Sequence, residues 1–282
     1  MNTVYADKIK RFLPSPVYKF LAKRYIDRQY PRHLFIETTA TCNLSCSYCP
    51  REKIKAEMDF ELFKDIIREA SKYGKRSFSL HLFGEPLLYS KWREAIDFIK
   101  RENPAHTVLL TTNGTLLEVG DVLDRLLSSG VDQVLWSWRK EVKFKEETKK
   151  RLKKWGKFRV RIIKELTPPE ALEEWKTWPN QEERNLHNYG GEIDLERFGK
   201  KNEDSSKRWP CYHLWLAPAV AWNGKVLICC TDPHQKEVIG ERNVHEAWIG
   251  KKLAEIRQSH IDGKFLGICK DCDVWKSTPN IF

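Results

Sequence analysis

The stretch Cys42-Asn43-Leu44-Ser45-Cys46-Ser47-Tyr48-Cys49-Pro50 limits what this chain can be more than any other. Three cysteines stand at C-x3-C-x2-C spacing, directly after an apolar run from His33 that reads as a buried strand. Three thiolates on one tight loop can hold three irons of a cubane cluster, which needs soft sulfur ligands. A cubane normally takes four cysteines, so a loop offering three leaves one iron for a ligand that is not protein. The bland reading of the same loop is an incomplete zinc knuckle or a set of buried structural thiols, but zinc sites usually close with a fourth Cys or His nearby.

Two further features fall at informative places. Gly84-Glu85-Pro86 follows an alternating stretch, Ser77 to Phe83, that reads as a second strand. Near the C-terminus, Cys211 precedes an apolar run from Leu214 to Ala221. Asn223-Gly224 predicts a type I′ hairpin turn, and the return strand Lys225–Ile228 leads into Cys229 and Cys230. A helical stretch spans 244–260, and Cys269-x2-Cys272 follows.

Between these features the pattern repeats. Asp59 caps a helix with an apolar face of Leu62, Phe63, Ile66, Ile67 and Ala70. A helix follows Ser90, a strand covers 107–112, a helix 119–129, a strand 133–138, and a strand 158–163. Strands alternating with helices argue for parallel βαβ units. Active sites of such barrels lie at the C-terminal ends of the strands, where the cysteine loop, Glu85, Asn113 and Ser137 all fall. Residues 165–185 read as a helix and a loop. The adjacent glycines in His187-Asn188-Tyr189-Gly190-Gly191 allow close backbone approach, to a ligand or within an ordinary loop. Ser15-Pro16 opens an expected amphipathic helix over 15–29.

The cysteine loop, with Tyr48 before its last cysteine, resembles the signature of the radical S-adenosylmethionine (SAM) enzymes, and Phe83-Gly84-Glu85-Pro86 resembles their "GGEP" element. The four C-terminal cysteines around a hairpin and after a helix resemble a SPASM/Twitch auxiliary-cluster domain. The resemblance extends over most of the chain and is nearest to the aminocyclitol (deoxy-scyllo-inosamine) dehydrogenase type. It implies an α/β fold, a partial (β/α)6 barrel over 31–205, with an N-terminal helical extension at 1–30 and a small hairpin-and-helix domain at 206–282.

The resemblance also implies ligands and cofactors. Cys42, Cys46 and Cys49 would hold a [4Fe–4S] cluster whose open iron chelates SAM. Reduction would cleave SAM to a 5′-deoxyadenosyl radical that abstracts a substrate hydrogen. Gly84 and Glu85 would lie at the SAM amino group, Ser137 at its ribose or carboxylate, with Asn113 a weaker analogue. The usual acidic partner near Ser137 is missing; Trp138 and Arg139 stand there. Cys211, Cys229, Cys269 and Cys272 would hold a second [4Fe–4S] cluster, with Cys230 spare, although adjacent cysteines leave that choice open. Fully ligated, such a cluster suits electron transfer from a substrate radical. An electron donor such as flavodoxin or ferredoxin is implied. No catalytic base is identifiable; Arg159, Arg161 and His187 are weak candidates.

Composition bounds the rest. With 282 residues and 41% hydrophobic content the chain is globular. Its apolar runs are shorter than the roughly 20 residues of a transmembrane helix, and no secretory pattern is visible. Eight clustered cysteines then point to metal in a reducing, cytoplasmic setting. The net charge of +11 is concentrated at 139–164, which holds thirteen Lys or Arg against three Glu. This suits an anionic partner or a solvated helix face. A sugar-like or nucleotide-linked small molecule is the favoured substrate, since about 30 residues before the barrel are too few for a peptide-binding winged helix. A peptide or protein maturase is the alternative. A zinc-stabilised nucleic-acid-binding protein is the reading from another class; the Gly-Glu-Pro turn and the βα alternation argue against it.

Overall fold

The computed structural model describes residues 26–200 and 208–277. The helix expected over 15–29 falls almost wholly outside these residues, as does the expected boundary near 205.

Six parallel strands form the main sheet: β1 (His33–Ile36), β2 (Ser77–Ser79), β3 (Thr107–Thr112), β4 (Gln133–Ser137), β5 (Phe158–Ile163) and β6 (Gln181–Arg184). Between them run α1 (Phe60–Ser71), α2 (Trp92–Glu102), α3 (Val122–Leu127), α4 (Glu146–Trp155) and α5 (Pro169–Lys176). Three C-terminal strands, β7 (Ala219–Val220), β8 (Lys225–Leu227) and β9 (Val238–Glu241), continue the sheet beyond β1. The full order is β6-β5-β4-β3-β2-β1-β7-β8-β9. β7 pairs with β1 in parallel, placing Ala219 opposite Phe35 and Val220 opposite Ile36, while β8 and β9 are antiparallel to their neighbours. Helices α6 (Val244–Ile249) and α7 (Lys251–Ile261) follow β9.

Successive strand residues point to opposite faces, and here the two faces differ in chemistry. Leu34, Ile36, Phe78, Val108, Val134 and Val160 belong to the hydrophobic core. The intervening residues of the same strands, among them His33, Ser77, Ser79, Ser137 and Arg161, line a cavity instead. A parallel sheet is normally apolar on both faces, so a polar inner face marks the place where this fold accommodates something other than side chains. On the outer face, α1 forms where the sequence places it. Asp59 accepts from the Leu62 amide at 2.9 Å, and Leu62, Phe63, Ile66, Ile67 and Ala70 are all buried. In α4, Thr148 and Leu152 are buried, Trp155 packs against the core, and Gly156 ends the helix at φ +73°. Of the α4 lysines, Lys149 pairs with Glu174 at 2.8 Å and Lys153 donates to the Thr177 hydroxyl at 3.2 Å.

Four local expectations change. Within 165–185, read as helix and loop, Gln181–Arg184 forms β6, an edge strand without one apolar residue. Its alternate side chains face solvent and the polar cavity, so no hydrophobic period announces it. The strand β9 is likewise additional. The 244–260 helix is two helices, because Gly250 is extended at ψ 154°. The hairpin turn is not type I′, which needs positive φ at both central residues. Only Gly224 is left-handed, at φ +88°, and Asn223 is not. The Gly224 amide donates to the Ala221 carbonyl and the Ala221 amide to that of Lys225. Asn223 Oδ1 accepts from the Lys225 amide at 3.2 Å. This is a three-residue loop closed by a left-handed glycine.

Candidate functional site

One cavity of about 730 Å³ opens at the C-terminal ends of the strands. Cys42, Cys46 and Cys49 all line it, together with Gly84, Glu85, Asn113 and Ser137. The fold thus brings the first set of expected site residues to one place.

The cysteine loop is braced from several sides. The Cys49 amide donates to the Cys46 carbonyl at 3.0 Å. The Arg51 guanidinium donates to the carbonyls of Leu44 at 2.9 Å and Cys42 at 3.3 Å. Asn113 Nδ2 donates to Asn43 Oδ1 at 2.9 Å and lies 3.8 Å from Cys42 Sγ. Burial pushes the Cys49 thiol up, so the site favours a protonated sulfur until a cation is bound beside it.

The Gly-Glu-Pro turn holds this loop. Glu85 is buried, its amide donates to the Thr41 carbonyl at 2.8 Å, and both carboxylate oxygens are occupied. Oε1 accepts from Thr112 Oγ1 at 2.7 Å and from the Leu87 amide at 3.2 Å, and Oε2 accepts from the Asn113 amide at 2.7 Å. Burial still pushes the carboxyl up to about 7. Glu85 therefore fastens the ends of β2 and β3 to each other. Gly84 serves the same junction: a Cβ there would stand 1.9 Å from the Thr39 carbonyl oxygen. Its bareness admits the backbone of the cysteine loop, where the sequence suggested approach to a ligand. Ser137 Oγ accepts from Arg139 at 2.9 Å, and the Arg139 guanidinium lies over the Tyr48 ring at 5.2 Å.

The second set of thiols lies apart. Cys211, Cys229, Cys269 and Cys272 surround a small pocket of about 20 Å³ with Arg208, His213 and Trp275. Cys230 does not line that pocket; it lines the main cavity. Burial pushes the Cys211 and Cys269 thiols up and that of Cys272 up to about 11. Cys229 moves the other way, because the Cys230 thiol donates to it. Arg208 Nε and His213 Nδ1 are buried without a hydrogen-bond partner among the described residues.

Among the described residues no three His, Cys, Asp or Glu side chains converge as a single ion requires. A cubane asks for something else: one thiolate per iron, arranged around a body. Both sets fit that demand in donor chemistry. Three thiols rim a large cavity, and four thiols ring a small pocket beside an arginine.

The 187–191 loop joins the two sites. The Asn188 amide donates to Asp273 Oδ1 at 2.9 Å, Asn188 Nδ2 to the Asp271 carbonyl at 2.6 Å, and the Asp273 amide back to Asn188 Oδ1 at 3.1 Å. A Cβ on Gly190 would meet the Ile268 carbonyl at 3.2 Å. The adjacent glycines thus admit the Cys269–Asp273 segment. His187 lies 3.5 Å from Asp273, which makes it part of this junction. Arg159 and Arg161 do line the cavity. Sequence reasoning passed over His81, Glu182 and Arg184, which line it too. For His81 the signal available was the polar alternation Ser77, Ser79, His81 in an otherwise apolar stretch; β6 offered none.

Residues 36–137 match the model of the radical SAM superfamily, and residues 211–273 match that of SPASM, an iron–sulfur cluster-binding domain. The chain thus carries a radical SAM domain and, C-terminal to it, a SPASM domain. These domains bring a SAM-binding [4Fe–4S] cluster and an auxiliary iron–sulfur cluster. Among its relatives, the S-adenosyl-L-methionine-dependent 2-deoxy-scyllo-inosamine dehydrogenase of Niallia circulans is 26% identical over 251 residues, covering 84% of this chain and 91% of that protein. The tungsten-containing aldehyde ferredoxin oxidoreductase cofactor-modifying protein of Pyrococcus furiosus is 31% identical over 110 residues, 38% of this chain. The matched part spans only 30% of that relative's length. The crystal structure of BtrN in complex with AdoMet and 2-DOIA superposes with a TM-score of 0.64 at 22% identity, covering 86% of this chain and 92% of that one. Among the described residues no helix is long and apolar enough to cross a membrane.

Proposed function

We propose that this chain is a cytoplasmic radical SAM oxidoreductase that oxidises a sugar-like or nucleotide-linked small molecule, dehydrogenase fashion. The observation that carries this reading is the pair of unequal thiol sets: three on a large cavity, four around their own pocket. In this reading residues 31–205 form the catalytic barrel and 206–282 the auxiliary domain. Cys42, Cys46 and Cys49 hold the first cluster, and Cys211, Cys229, Cys269 and Cys272 the second. When bound, the first cluster with SAM supplies hydrogen-atom abstraction, and the second accepts an electron.

The chain's own residues do the positioning. Glu85, Asn113 and Arg51 hold the cysteine loop against the ends of β2 and β3. Gly84, Glu85, Asn113 and Ser137 form the wall that would face SAM. Ser79, His81 and Arg161 line the inner face of the sheet, where an alcohol-bearing substrate meets donors and acceptors. Electrons come from a small redox protein of the flavodoxin or ferredoxin kind, and the substrate carries negative charge.

The test is iron and sulfide content after anaerobic reconstitution, with EPR of the reduced protein with and without SAM. About eight irons per chain, with one of two cubane signals perturbed by SAM, is the expected result. About four irons with a zinc would remove the electron-accepting role of the C-terminal domain. Zinc without iron, with no effect of SAM, would overturn the reading.

A further inference from the structure

The wall of the cavity built by β5 and β6 carries more positive charge than its own carboxylates neutralise. Arg159 and Arg161 project from β5 on the cavity side, at alternate positions between the buried Phe158, Val160 and Ile162. Lys164 follows at the strand's end. Glu182 and Arg184 share the half-buried face of β6. Arg161 is paired with Glu182 at 2.6 Å, and Lys164 with Glu183 at 2.8 Å. Arg159 and Arg184 have no carboxylate within ion-pair distance among the described residues. Four cations face two carboxylates, and two positive charges are left over.

Arg184 is also under-bonded. It reaches the Tyr189 hydroxyl at 3.2 Å, while its Nε is buried without a hydrogen-bond partner among the described residues. His81, two residues beyond the end of β2, lines the same cavity. Its Nδ1 is buried without a hydrogen-bond partner among the described residues, and the Arg161 and Arg184 charges act on its ring. A guanidinium removed from bulk water with open donors is costly unless an acceptor completes it. Nothing among the described residues does so here.

The geometry points to a subsite for a doubly charged phosphoryl group of the substrate, held by Arg184, with Arg161 and His81 completing its donors and Arg159 adding positive charge to the same wall. This deepens the small-molecule reading above and rests on it. Two uncompensated charges match a phosphate monoester dianion, and a planar guanidinium fork suits its oxygens. Tyr48 of the cysteine loop lies within electrostatic reach of Arg184. A phosphate anchored there would therefore leave the rest of the substrate beside the three thiols.

The experiment titrates inorganic phosphate into the reconstituted protein by anaerobic calorimetry at constant ionic strength, with SAM affinity measured in parallel. Arg184→Gln is expected to weaken phosphate binding about tenfold or more and to leave SAM affinity unchanged. Glu182→Gln removes a competing carboxylate and is expected to tighten it. If Arg184→Gln does not fold, as read by circular dichroism, Arg159→Gln takes its place. Unchanged phosphate affinity in the arginine variant overturns the proposal. So does a parallel loss of SAM affinity, since Arg184 would then hold the SAM carboxylate, and so does acetate binding as tightly as phosphate. A failure of the radical SAM reading shows up separately, as the absence of iron and of any SAM effect on EPR, while the phosphate titration still reads the subsite.

Discussion

Single residues decide which sulfur belongs to which site. Cys229 and Cys230 are adjacent, yet one lines the small pocket and the other the main cavity. Cys229→Ser is therefore expected to lower the iron content from about eight to about four per chain, while Cys230→Ser keeps both clusters. Iron and sulfide assays with EPR check this; equal loss in the two variants would mean that the pair is interchangeable. The sequence could not make this choice. Both residues follow the return strand of one hairpin, and only the alternation of side chains along it separates them. Arg184 is a similar case. In sequence it is one charge in a polar stretch; in the fold it faces His81 from across the cavity.

At the scale of elements, the junction between the cysteine loop and the Gly-Glu-Pro turn is the tightest in the site. Gly84→Ala places a methyl 1.9 Å from the Thr39 carbonyl oxygen, so one backbone segment must move. A cost of at least about 2 kcal/mol is expected, read as a lower denaturation midpoint, together with poorer cluster incorporation because the displaced segment carries the ligands. An unaltered midpoint would show that the loop has slack. Much of this level was legible beforehand. Strand β1 announces itself as an apolar run, β2 by alternation, β3 to β5 by their place between helices, α1 by its cap and apolar stripe, and the cysteine loop by spacing. β6 was not legible, because an edge strand between solvent and a polar cavity has no apolar face to display. The Asn188–Asp273 contact was not legible either, since it joins residues far apart in sequence, each side chain bonding the other segment's backbone. What sequence did show of the site, the thiols and the Gly-Glu-Pro turn, is the part whose chemistry is local.

Across the whole molecule, buried titratable groups set a pH dependence. Burial holds His33 and His81 neutral down to about 3, and His106 and His260 down to about 4, against an ordinary value of 6.5. Burial pushes Glu37 and Glu85 up to about 7 from 4.5. The carboxyls stabilise most below about 4.5, and their contribution is lost as pH rises through about 7. The imidazoles act oppositely: their contribution is full above 6.5 and is lost as pH falls toward 4 and 3. Between 6.5 and 4.5 the unfolded chain takes up about four protons that the fold refuses, and the fold keeps about two that the unfolded chain lacks. The imidazoles win, and stability falls by roughly 3 kcal/mol per pH unit on acidification. Urea midpoints at pH 7.5 and 5.5, with cluster absorbance followed alongside, check this. A higher midpoint at pH 5.5 would mean that the two carboxyls dominate.

The hydrogen bonds between β1 and β7 also bear on how the protein can be divided. The Phe35 amide donates to the Pro218 carbonyl and the Glu37 amide to that of Val220, while Glu37's carboxylate receives the amides of Phe83 and Trp222. The C-terminal hairpin is thus zipped edge to edge onto the strand that leads into the first cysteine. The sheet acts as the ruler between the two thiol sets. Two separate polypeptides, cut within 201–207 and co-expressed, should then reassemble into a complex with both sets at their native separation.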